Sequence, residues 1–389
     1  MPETSLLRKL DDAPIWAIGF RPFFLLGGLA GVSLLLLWVW VFSGHPLVAL
    51  TPLWHAHEML FGFGPAIAGG FLLTASQNWS GMRGVHGRQL MGLAGLWLLG
   101  RLALLLPWPG LAAGLDLLFL PALMISLWPY LSGAGQQRNR IFLVLFGLQI
   151  AGNLLYHLEM LGTGLTLARS GIYLALHVYL LMILVIGGRV IPAFTRGAIA
   201  NARISSWPWL EKGGFALVLA WLLLELIWPA AELSHWLALA AGLSQLLRLW
   251  GWRPWQTWRK PLLLILPLGY AWLVAGFLLR GLPPQWAPPL SLATHAFTVG
   301  AIGVMMHGMI TRVSLGHTGR ELKASGLMVT GYGLINLAAL LRVAVPWLLP
   351  SFYMPAMIWA GLLWALAFGL YVWECAPYLL GPRPDGKTG

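Results

Sequence analysis

Trp54-His55-Ala56-His57-Glu58-Met59-Leu60-Phe61-Gly62-Phe63-Gly64-Pro65-Ala66-Ile67-Ala68-Gly69-Gly70 is an apolar run that opens on two histidines and a glutamate. Its pattern returns late in the chain. His57 is followed by Gly62 and Gly70 at offsets of 5 and 13, and His295 by Gly300 and Gly308 at the same offsets. A third histidine, His177, lies 120 residues after His57 (177 − 57) and 118 before His295 (295 − 177); it keeps only the late glycines Gly187 and Gly188. Histidine inside a membrane helix is costly and usually functional. Three in register point to a ligand held where internal repeats meet.

The surrounding composition is that of a membrane protein. Apolar residues make up 59% of the 389 and charged residues 9%, against about 45–50% and about 25% in soluble domains. The 23 tryptophans suit the bilayer interface. Residues 1–21 carry Arg8, Lys9, Asp11 and Asp12, a pattern unlike a cleavable signal. The lone Cys375 excludes an internal disulfide, a CxxC redox pair and a CxxCH haem attachment.

Apolar runs of about 17–25 residues predict an all-α membrane protein of about twelve transmembrane helices. Their expected extents are 23–43, 54–75, 89–107, 111–131, 141–160, 171–193, 213–229, 233–250, 261–280, 289–311, 326–346 and 353–380. The intervening loops are short, so residues 1–389 read as a single integral domain. The histidine spacing divides it into three pseudo-repeats of four helices, roughly 23–131, 141–250 and 261–380. If the N-terminus is inside, all lysines and arginines except Arg101, Arg169, Arg280 and Arg342 fall on inner segments, which is 20 of the 24. The positive-inside rule then puts both termini in the cytoplasm. The net charge of +12 is thus topological, and nucleic acid is not an expected partner.

With this orientation, His57, His177 and His295 fall near the outer starts of the second, sixth and tenth spans. His55, Glu58, Asp116, His157, Glu159 and Glu225 gather at the same depth. Such a layer suits a metal, a haem or a proton route; the plainer reading is that its members cap helices. His55 and His57 are two residues apart, about 200° on a helix, so they face opposite sides. Glu58 and Met59 share the face of His55. His307 lies about 18 Å further down its helix, and structural roles suit it, His317 and His86 best.

At the inner end, Arg21, Arg189 and Arg312 flank Phe20-Arg21-Pro22-Phe23, Gly188-Arg189-Val190-Ile191-Pro192 and Thr311-Arg312-Val313-Ser314. Their guanidinium forks suit haem propionates or a small anion; positive-inside topology is the alternative. Pro192 and its glycines suggest a break in the backbone.

Five segments carry a resemblance: Phe20-Arg21-Pro22-Phe23-Phe24, Trp54-His55-Ala56-His57-Glu58-Met59, Gly70-Phe71-Leu72-Leu73-Thr74-Ala75 with Asn78-Trp79, Gly188-Arg189-Val190-Ile191-Pro192, and Leu315-Gly316-His317-Thr318-Gly319-Arg320. In order and spanning Phe20 to Arg320, they resemble the signature blocks of the NnrS family. That resemblance implies a bacterial inner-membrane protein containing haem, expected as haem b, and copper, linked to denitrification and protection from nitric oxide. A looser architectural likeness is to the core subunit of haem–copper oxidases and nitric oxide reductases, whose helices 2, 6 and 10 carry metal-ligating histidines. It implies His57 and His295 as axial ligands of a haem, with His177 in the place of a copper ligand. The seventh span here has no histidine, so copper would recruit His55, Glu58, His157 or a methionine.

The expected function is therefore a haem- and copper-binding membrane protein that binds or reduces nitric oxide in the outer third of the bilayer. Turnover, as a nitric oxide-reducing oxidoreductase, is left open; it would need quinol or a partner protein as electron donor. A transporter, and a sensor or handling protein for haem or copper, stand as alternatives from other classes.

Overall fold

The computed structural model describes residues 11–47, 50–228 and 231–387, so Arg8 and Lys9 lie outside the described residues. Among these, no strand occurs and long helices dominate. We label them α1 (Phe20–Phe42), α2 (Pro52–Ser80), α3 (Gly87–Ala103), α4 (Pro109–Ser132), α5 (Ile141–Met160), α6 (Ala168–Ala198), α7 (Pro208–Ile227), α8 (Leu233–Gly251), α9 (Pro261–Arg280), α10 (Leu290–His317), α11 (Gly326–Leu348) and α12 (Tyr353–Leu380).

Nine of the helices among the described residues are long and apolar enough to cross a membrane. The others are α3, α7 and α8. With 17 residues, α3 is shorter than the roughly 20 a bilayer asks for. Glu211, Lys212 and Glu225 interrupt α7, and Ser234, His235, Ser244, Gln245 and Arg248 interrupt α8. Contacts divide the chain into two compact units. The first runs up to Val178 and adds Ile310–Leu322 and the residues from Phe368; the second is Tyr179–Met309 with Lys323–Ala367.

Sequence chemistry explains several helix ends. The side chain of Thr51 accepts from Trp54 N, and Pro52 occupies the first turn of α2, where a missing N–H costs nothing. Ser325 caps α11 in the same way through Met328 N. At the other end of α2, Gly81 takes the left-handed conformation that closes the helix. Proline does not stop α6. The helix runs unbroken through Gly187, Gly188 and Pro192 to Ala198, contrary to the break that those residues suggested. Neighbouring groups in a helical bundle can satisfy the backbone around such a proline.

Within the first unit, glycines bring helices close. A Cβ on Gly27 would meet Ile67 and one on Gly70 would meet Phe23, so α1 and α2 pack at short range. This is how apolar helices associate in lipid, where hydrophobic burial gives little net drive. In the second unit Gly269 against Met305 and Gly308 against Ile265 serve α9 and α10 alike.

Two helices leave α geometry at matching places. In α2 residues Glu58–Phe63 form π-helical turns directly after His57; in α10 Ala296–Gly303 do so directly after His295. Such segments are rare and often mark functional sites. The indole Nε1 of Trp97 donates to Gly62 O in the first of them at 2.9 Å.

Candidate metal centre

Four helices of the first unit bring a buried polar cluster together. His57 and Glu58 come from α2, Arg101 from α3, Asp116 from α4, and Asn153, Tyr156 and His157 from α5; all are buried. Helix α3 can deliver Arg101 because Gly62 has no side chain: a Cβ there would collide with the guanidinium. Gly100 likewise lets α3 approach α4, since its Cβ would stand 3.1 Å from Asp116 Cα.

The hydrogen bonds converge on two carboxylates. Asp116 Oδ2 accepts from Asn153 Nδ2 at 2.8 Å and lies 2.9 Å from His157 Nε2 and 3.3 Å from His57 Nε2. Arg101 spans the acids, donating from Nη1 to Glu58 Oε1 at 2.8 Å and from Nη2 to Asp116 Oδ1. His57 Nε2 also lies 2.9 Å from Asn153 Oδ1, and its Nδ1 lies 3.2 Å from Glu58 Oε1. Glu58 Oε2 is buried with no hydrogen-bond partner, as is Arg101 Nε.

Both nitrogens of His57 thus face oxygen acceptors, yet a neutral imidazole has only one N–H to give. Charge tells the same story. Two carboxylates against one guanidinium leave the cluster one negative charge in excess if the histidines are neutral. Uncompensated charge in a buried site is expensive. One further positive charge, a proton or a metal ion, balances it. The geometry admits a metal: one ligand atom each from His57, Asp116 and His157 lies within 4.8 Å of the others. Two imidazoles and a carboxylate suit a borderline transition-metal ion, and Asn153 and Arg101 would orient them from behind.

A model of the NnrS family, described as NnrS protein, matches residues 14–383. The chain belongs to the NnrS family. No curated protein is similar enough to be a match. Family membership suggests a nitric oxide-linked membrane protein, and its buried histidine–aspartate group suggests metal binding.

The other expected site residues of this NnrS-family protein lie apart from the cluster. His55 stacks on Trp38 of α1, with ring centroids 4.9 Å apart and planes at 9°, whereas His57 turns inward to Asn153. The face change between them is the one a two-residue step requires. His177 is buried in α6 beside Tyr173, its centroid 6.3 Å away, and Arg169 lies over that tyrosine. His295 belongs to the second unit; its Nδ1 donates to Ser291 O at 2.5 Å, which puts the lone pair of the neutral ring on Nε2.

Arg21 is engaged in closing a helix. Its Nη1 donates to Leu379 O at 2.9 Å and Gly381 O at 2.8 Å, the carbonyls at the end of α12, where a cation also meets the negative end of the dipole. Arg189 falls in the second unit and Arg312 in the first. Among the layer of acids, Glu159 accepts from Ala168 N at 2.7 Å and so caps α6. Glu225 pairs with Arg280 and Ser234 in the second unit. His307 Nε2 donates to Ala367 O at 3.0 Å, and Gly331 makes room for its ring.

Asn153, Tyr156 and Arg101 are the members that the sequence did not point to. Asn153 does not titrate and carries no motif. Arg101 was visible as one of four basic residues on the wrong side for topology, and that exception was its signal.

Proposed function

We propose that this protein is a haem b- and copper-binding protein of the bacterial inner membrane, acting in nitric oxide metabolism or nitrosative-stress defence. In this reading the chain crosses the membrane about twelve times in three repeats of four, with both termini in the cytoplasm. The matching π-helical turns after His57 and His295 support the repeat relation between α2 and α10.

The observation that carries the proposal is the buried His57–Asp116–His157 group, in which one ligand atom from each residue lies within 4.8 Å of the others. This donor set fits a single ion, and we assign copper to it. His57 is enclosed: Tyr156 and Phe61 lie 4.2 and 5.0 Å from its ring centroid, and both its nitrogens face oxygens. That setting suits a compact ion better than a porphyrin. His295 would be a residue that holds the haem, because Ser291 O holds its Nδ1–H and fixes the tautomer, as carbonyls behind metal-bound histidines do. Arg189, in the same unit as His295, is the further candidate for the haem setting.

Haem iron and copper, when bound, supply the one-electron chemistry that nitric oxide undergoes. The chain's own part is to hold the ion dry. Asn153 orients His57 and Asp116 together, and Arg101 restrains both carboxylates. Reduction would draw on quinol or a partner protein.

The test is metal analysis and an absorption spectrum of the purified protein. Stoichiometric copper lost in His157→Ala, and a Soret band weakened in His295→Ala, are the expected results. A colourless protein free of both metals would overturn the proposal. Bound metals without nitric oxide consumption would move the role to storage or sensing.

A further inference from the structure

Two loops of the second unit are fastened into one surface. One joins α6 to α7 and the other joins α8 to α9. Ser205 N donates to Gly251 O at 2.9 Å. Gln256 accepts from Arg203 N through Oε1 at 3.0 Å and returns a bond from Nε2 to Arg203 O at 3.2 Å. Lys260 Nζ donates to Ala198 O. Gly251 has no Cβ, and one placed there would strike the Trp207 ring, so the loops meet in direct contact.

This braced surface is rich in exposed tryptophan. Trp207, Trp209, Trp250, Trp255 and Trp258 are between 37% and 67% exposed. The Arg259 guanidinium lies over the Trp258 ring, 4.6 Å from its centroid, and Trp250 packs on Trp255 at 4.8 Å. Arg253 holds a left-handed φ of 50°, a strained conformation for a residue with a side chain. Arg203, Arg253, Arg259 and Lys260 all belong to the surface. The one carboxylate in residues 196–212 and 248–260 is Glu211, which Arg248 engages.

Positive-inside topology accounts for the sign of these charges. It does not call for cross-bracing, nor for five tryptophans gathered around them. Indole prefers the polar–apolar boundary of a bilayer, and guanidinium forks bind phosphate in paired hydrogen bonds. Together they match a molecule that carries a phosphate at that boundary and acyl chains beneath it.

We propose that this surface is a binding site for the headgroup of an anionic phospholipid, gripped by Arg203, Arg253, Arg259 and Lys260 between the tryptophans. The proposal is independent of the metal centre, which lies in the other unit.

Native mass spectrometry of the full chain, delipidated in neutral detergent and offered equimolar phosphatidylglycerol and phosphatidylcholine, tests it. The wild-type protein retains phosphatidylglycerol selectively. The double variant Arg203→Gln/Arg259→Gln, which leaves the backbone bonds of Arg203 and the Lys260 brace in place, weakens that retention about 30-fold (about 2 kcal/mol) while its thermal melt is unchanged. Lys323→Gln, which removes an exposed cation elsewhere in the same unit, leaves retention intact. Equal retention of the two lipids, an equal loss in Lys323→Gln, or displacement by inorganic phosphate at the lipid's own concentration would overturn the assignment. So would preference for an oligonucleotide over the lipid.

Discussion

Asn153 is hydrogen-bonded to Asp116: its Nδ2 donates to Asp116 Oδ2 at 2.8 Å, while its Oδ1 lies 2.9 Å from His57 Nε2. One amide thus sets the spacing between a carboxylate and an imidazole that come from different helices. Asn153→Leu keeps the volume and removes both contacts. Loss of such an orienting group typically costs about 10–100-fold in metal affinity, and a competitive metal titration of the purified variant should show that drop. An affinity equal to the wild type would mean that the amide serves folding alone.

Arg101 is the sole positive charge among the side chains of the cluster when its histidines are neutral. Arg101→Gln would leave two buried carboxylates without a counter-charge. Breaking a buried pair in this way costs roughly 3–5 kcal/mol. We therefore expect a large fall in the melting temperature of the detergent-solubilised protein. Arg101→Lys should recover part of it, because a point charge cannot bridge Glu58 and Asp116 as the fork does. Added metal ion should stabilise Arg101→Gln more than the wild type.

Acid dependence is expected at the C-terminal end, outside the membrane spans. Arg383 donates to both oxygens of Asp385, at 2.8 and 2.6 Å, and this holds the Asp385 carboxyl well below the usual carboxylate range. Arg383 also donates to His317 O at 2.9 Å, at the end of α10. A depressed carboxylate contributes stability above its unfolded value, about 3.9, and loses it as pH falls through the lower folded value. The difference in melting temperature between wild type and Asp385→Asn should be constant above about pH 5 and should close only below about pH 4. A difference that instead grew toward acid would show that the pair does not hold.

The helices were legible because burial in lipid writes long apolar runs into a chain. The repeated His57 and His295 pattern was legible for the same reason, since period and register survive without any knowledge of contacts. Partners were not. Asp116 is 59 residues from His57 (116 − 57) and Asn153 is 96 from it, and no local pattern joins them. His177, His55 and His157 looked alike as histidines at one depth, and only packing separates the one that meets Asp116 from the one that stacks on Trp38. The π-helical turns were hidden too, because an extra residue per turn leaves little mark on stretches as apolar as residues 59–63 and Ala296–Gly303. The glycines after each histidine were the available trace of them.

Gly62 ties that trace to the site. It sits in the π-helical turns of α2, gives its carbonyl to Trp97, and leaves the space that Arg101 fills. Gly62→Ala would force the guanidinium away from Glu58 and Asp116. Overpacking of this kind costs about 1–3 kcal/mol, and here it would also loosen the carboxylates, so melting temperature and metal affinity should fall together. Gly92→Ala in α3 supplies the contrast: nothing lies within 4 Å of its would-be Cβ, and alanine is the better helix former by about 0.5–1 kcal/mol. That variant should be neutral or slightly more stable. Equal destabilisation by both would mean that the cost at Gly62 comes from the helix backbone, and that Arg101 does not depend on the gap.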